Sequence, residues 1–158
     1  MVVAAARCHL GVPTVIAVPP HLDDGTPFPT RYWLTCPLAV LRIGRLESAG
    51  GVKAAEQRIA AEPLFARRHE AAMERYARDR DALIAPDAPP HRPSGGVGGA
   101  ARGVKCLHAH YADHAAGNDN PVGEDTAAAV EPLDCAAPCV AVVAGVAGRN
   151  PQWREPRP

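Results

Sequence analysis

The residues with the most chemistry in this chain sit close together, between Gly103 and His114, in GVKCLHAHYADH. Cys106, His108, His110 and His114 lie within nine positions, with Lys105 beside the thiol. Thiolate sulfur and imidazole nitrogen are the donors zinc prefers. On a continuous helix, residues four apart stand one above another, so Cys106, His110 and His114 would share a face while His108 points elsewhere. Two donors four residues apart is the spacing helical metal sites use to bring both to one ion. Further ligands must come from a distance, and Cys8 and Cys36, at the start of a first strand and the end of a second, are the available thiols. Three cysteines and one histidine would make a closed structural set. The competing reading is plain packing. CxHxH lacks the paired CxxC knuckles of zinc modules, Cys8 and Cys36 can serve as small hydrophobes, and His110 as a satisfied core histidine.

Two other chemistries use the same segment. Cys106 near the start of a helix, with Lys105 adjacent and His110 one turn on, could act as a nucleophile, because a helix N-terminus favours thiolate. No third residue that would orient the histidine can be named from sequence, so this ranks below metal binding. The preceding SGGVGGAARGVK places glycines before a helix, and Arg102, Gly103 and Lys105 could hold an anion there. It lacks a GK[ST] ending and a strand before it, so a mobile hinge is the primary reading. Asp23-Asp24-Gly25 has the composition of a turn. His9, His21, His69 and His91 have weaker claims. Cys135 and Cys139, in CAAPC, have a spacing known from some metal sites, but their surroundings read as structureless, which leaves them as thiols without a task.

The elements that must position these groups follow from the rest of the chain. At 158 residues it suits one domain. Seventeen basic residues balance seventeen acidic ones, so there is no strong nucleic-acid signal and no pull toward an anionic membrane. The start lacks a signal-peptide pattern and the longest late apolar run is too short to span a bilayer; both point to a cytoplasmic protein. Five cysteines in a reducing compartment read as thiols or ligands. Val12–Val18 and Arg31–Thr35 read as strands around a Pro-stiffened loop. A helix starts at Pro37 and ends near Ser48, burying Leu38, Leu41 and Leu46, and a second covers 52–61. After Pro63, a longer helix carries a core stripe of Phe65, Ala72, Met73, Tyr76 and Leu83. Pro86–Gly99 is a loop, 103–116 a helix capped by Gly117, and 118–123 turn chemistry. Residues 124–158, rich in Ala and Pro without a period, predict a disordered tail.

Taken in order, GVPTV, DDGTPFPT, WLTCP, RLESAGG, GVGG, GVKCLHAHYA and NPVG resemble the bacterial domain of unknown function family 501, over roughly Cys8 to Gly123. The resemblance implies a cytoplasmic protein typical of actinobacteria, with members near genes of cell division and polyphosphate metabolism and some carrying a septum-formation label. It implies no particular activity. It marks Cys8, Cys36, Lys105, Cys106 and His108 as motif positions, His110 less so and His114 as variable. Cys106 and His108 are two apart, which an ideal helix cannot aim at one ion, so the helix would have to begin after Cys106 or the stripe is coincidental.

The expectation is therefore an α+β domain over 1–123, in which a small N-terminal hairpin or sheet packs against three to four helices, followed by the disordered tail. Zinc would be held by Cys8, Cys36, Cys106 and one of His108 or His110, with Lys105, Arg102 and Gly103 facing an anion. The alternative is a metal-free module whose loops and tail recruit a protein partner of the division or envelope machinery. A Cys-dependent enzyme is the third option.

Overall fold

The computed structural model describes residues 2–156. Three short strands, β1 (Val3–Arg7), β2 (Pro13–Ala17) and β3 (Tyr32–Leu34), form an antiparallel sheet in the order β1-β2-β3. The expected pair is β2 with β3, where Val15 faces Leu34 and Ala17 faces Tyr32. β1 is an addition. Its VAAAR sequence has little strand propensity, and pairing with β2 makes it a strand. Between β2 and β3, the Asp24 carboxylate accepts the Thr26 amide at 2.9 Å and Gly25 takes φ +84°, so this acidic pair builds a turn.

Helix α1 (Pro37–Ser48) opens with Pro at its first position, as its sequence predicts. It buries Leu38, Ala39 and Ile43, while Leu41 is left exposed; α4 and α5 approach it from a side that the leucine spacing alone did not mark. Gly50 at φ +95° turns the chain into α2 (Gly51–Ala61), which has no fully buried residue, and α3 (Pro63–Asp81) follows. The α3 core stripe is Phe65, His69, Ala72, Tyr76 and Arg80; Leu83 lies past the helix end and is exposed. Tyr76 Oη accepts the Arg31 amide at 2.6 Å, which docks α3 on β3.

Helix α4 (Leu107–Ala115) runs through the centre, against β3, α1 and α5 (Pro121–Val130). A Cβ on Gly123 would lie 2.3 Å from the His110 carbonyl oxygen, so α4 and α5 meet backbone to backbone at a position only glycine fits. The sequence NPVG is thus a helix start and not a turn: Asn120 Oδ1 accepts the Gly123 amide at 3.0 Å and Pro121 takes the first helical position.

The α+β class holds, but the disordered tail does not. After α5, the Arg42 guanidinium donates to the carbonyls of Val130 and Pro132 at 2.7 Å each, a hairpin forms from β4 (Val140–Val143) and β5 (Val146–Arg149), and Trp153 is buried in the main core. The composition hid this because order here comes from a few long-range contacts. The hairpin valines themselves stay exposed.

The glycine loop is also held. Arg80, 1% exposed, donates to the Gly95 carbonyl at 2.7 Å and to Asp81 at 2.8 Å, with the carbonyls of Pro93 and Ser94 at 3.4 Å. Removing the guanidinium would leave the buried Pro93 carbonyl and the partly buried Gly95 carbonyl without this donor. Arg80→Met is expected to lower unfolding free energy by about 3 kcal/mol in urea titrations; a loss below about 0.5 kcal/mol would show that the loop needs no such tie.

Candidate functional site

The last turn of α1 and the first of α4 bring three reactive side chains together. Cys106 caps α4 in an extended conformation (φ −157°, ψ 150°), so the helix begins after it, and His108 stands in the first turn. Glu47 reaches across from α1. Its Oε1 accepts the Leu107 amide at 2.6 Å and lies 3.1 Å from His108 Nδ1. A carboxylate from another helix thereby satisfies an orphan amide of α4 and sits at the positive end of its dipole. His108 Nε2 lies 3.2 Å from the Val40 carbonyl. Donor atoms of Glu47, Cys106 and His108 all fall within 4.8 Å of one another, and among the described residues no other group of three or more His, Cys, Asp or Glu does so. Cys106 and His108 border a cleft of about 480 Å³ walled by Tyr32, Trp33 and Val40, with Lys105 at its edge. Lys105 Nζ donates to the Gly98 carbonyl at 3.3 Å.

The five expected metal ligands are therefore distributed over three places. Cys106 and His108 meet, because the extended cap turns the thiol toward a histidine two residues on. His110 faces the other way, fully buried. Cys8 and Cys36 line a different, narrow cavity, together with Cys135 and Cys139. The stripe of Cys106, His110 and His114 does not form, since Cys106 is not on the helix. Of the expected anion-binding residues, Lys105 borders the cleft, whereas Arg102 is exposed and Gly103, at φ +63°, approaches Glu56. The amide end of α4 that an external anion would use holds Glu47 instead. Glu47 was the residue sequence reasoning passed over: it lies in RLESAGG, but 61 positions from His108 with no local signal to join them.

His110 belongs to a buried polar chain. Its Nδ1–H donates to Asn120 Oδ1 at 3.0 Å, the Asn120 amide donates to Asp113 at 2.9 Å, and Arg75 pairs with the same carboxylate at 2.5 Å. Asn118 adds a fifth member at 3.1 Å. The His69 ring lies 5.4 Å from that of His110, and His69 Nδ1 and His110 Nε2 have no hydrogen-bond partner. Burial holds both histidines below their ordinary range, His110 down to about 4. Burial also pushes the Asp113 carboxyl up, against the pull of Arg75 and the two amides.

A family model described as a protein of unknown function, DUF501, matches residues 4–128. The chain belongs to that family. The match contains Glu47, Lys105, Cys106 and His108, along with Cys8 and Cys36, and it stops before Cys135. No curated protein and no solved structure matches this DUF501 chain. Among its described residues no helix is long and apolar enough to cross a membrane.

The buried histidines give this DUF501 protein an acid-sensitive core. Unfolded, His110 takes up a proton near pH 6.5; folded, it resists down to about 4. Its contribution is complete above pH 6.5 and is lost as pH falls from there to about 4, amounting to about 3 kcal/mol, with His69 acting in the same sense. Urea midpoints measured across this range should fall steeply for the wild type and less steeply for His110→Gln. Equal slopes would mean that His110 is protonated alike in both states.

Proposed function

We propose that this DUF501 protein binds a divalent metal ion, zinc, through Glu47, Cys106 and His108, and that the adjoining cleft receives a small anionic ligand. The observation that carries this reading is the approach of a carboxylate, a thiol and an imidazole to within 4.8 Å of one another beside an open cleft. Three protein donors leave a position for water or a ligand, which is the pattern of reactive zinc sites rather than closed structural ones. His108 fits the role. Its Nδ1 faces the other donors while Nε2 can donate to the Val40 carbonyl, the outer contact that fixes the ring of a metal-binding histidine. Lys105 supplies a positive charge at the cleft edge, and Trp33 and Tyr32 supply apolar walls. Zinc bound here would polarise an oxygen of the ligand or of water. Competition titrations of metal-stripped protein under reducing conditions test the reading. Cys106→Ser and His108→Gln should each weaken uptake at this site by at least about 100-fold. Uptake by Cys106→Ser that matches the wild type would overturn it.

A second reading rests on a separate feature of the same three residues: Glu47 supplies the third, orienting group that a Cys–His pair needs. In this reading Cys106 is the nucleophile and no metal is required. Iodoacetamide should then modify Cys106 faster than free cysteine at neutral pH, and Glu47→Gln should slow it by about tenfold. Slow, even labelling of all five thiols would remove it.

A further inference from the structure

Four of the five cysteines converge away from the cleft. Cys8 opens the turn between β1 and β2, where its amide donates to the Val12 carbonyl and its own carbonyl accepts the Gly11 amide, both at 2.9 Å. Cys36 is the buried cap residue of α1. Cys135 and Cys139 lie on the connection between α5 and β4. All four line one narrow cavity, although no three of their sulfurs lie within 4.8 Å of one another, so a shared ion would have to draw them inward. None is in a disulfide.

As neutral thiols these residues gain little from meeting. A cysteine packs as a small hydrophobe with a weak donor, and nothing in such packing calls for four of them along one narrow cavity. As thiolates they would repel. A dication at the centre reverses the balance, because each sulfur then loses its proton to solvent as it bonds the metal. Four sulfur donors are the complete set of a closed tetrahedral zinc site. One group beside the cavity suits anionic sulfur: Trp153 Nε1 donates to Cys135 Sγ at 3.4 Å.

We propose that Cys8, Cys36, Cys135 and Cys139 bind one structural zinc ion, which clasps the segment after α5 to the sheet and to the start of α1. This clasp is independent of the Glu47, Cys106 and His108 site and uses none of its residues. It gives a physical reason for the order of residues 131–156, whose hairpin valines are exposed and whose one fully buried side chain is Trp153. Two of its ligands lie beyond the residues that match the family model.

The experiment uses the full chain carrying Cys106→Ser, so that the cleft site is disabled and its success or failure cannot enter the result. After zinc loading and exhaustive desalting in reducing buffer, elemental analysis should find about one zinc per chain, and cobalt substituted for it should give intense thiolate-to-metal charge-transfer absorption. Adding Cys135→Ser and Cys139→Ser should abolish both. Stripping the metal from the Cys106→Ser chain should expose the segment after Val130 to limited proteolysis. A folded Cys106→Ser protein that retains no zinc, or a thiol count showing a Cys135–Cys139 disulfide under the same conditions, would overturn the proposal. Because both of those outcomes are read on the Cys106→Ser chain, they stand even if the triple variant fails to fold.

Discussion

The structure is organised by the need to satisfy a charged residue in its centre. Asp113 has no exposed surface, and it sits on the helix that contacts the sheet, α1 and α5. An isolated carboxylate there would cost several kcal/mol or more, so donors must arrive together and with correct geometry. Arg75 brings α3, while Asn118 and Asn120 bring the link between α4 and α5. Asn120 is doubly committed, since its oxygen takes both His110 and the amide that starts α5. Deleting one member strands the others, which couples three helices through a single acid.

The candidate site depends on that arrangement at one remove. With α4 fixed, its first turn lies against the end of α1, and Glu47 meets an amide that would otherwise be orphaned. The same contact aims His108 and Cys106 at the cleft. A carboxylate at a helix start has a sufficient structural reason to be there, so chemistry is indicated less by Glu47 alone than by the thiol and imidazole added to it, with Lys105 and two aromatic rings facing the same space.

The opposite end of the molecule has a thinner core. β4 and β5 contribute few buried groups, and the segment around them is fastened by Arg42, by Trp153 and by the Arg45–Glu155 pair. Stability is thus unevenly distributed, with the helical centre closed and the C-terminal segment attached through a small number of contacts.

Much of this was legible in the sequence where the signal is local. Pro37 marks the start of α1, Gly50 its exit, and the β-branched run around Val15 with the aromatic run around Trp33 yields the β2–β3 pair, because capping and strand patterns depend on a few adjacent residues. The order of seven short motifs was sufficient to identify the family. Local patterns also misled. NPVG reads as a turn, and packing against His110 decided for a helix start. The segment after Glu124 has a tail's composition but is held by partners about ninety or more positions away. Only the tertiary structure decided which reactive residues meet. Helical spacing grouped Cys106 with His110 and His114, yet the extended cap at Cys106 and the approach of Glu47 regrouped it with His108. Cys8 and Cys36 were parted from Cys106 and joined to Cys135 and Cys139 for the same reason: proximity between distant residues is set by how elements pack, and spacing along the chain carries no record of it.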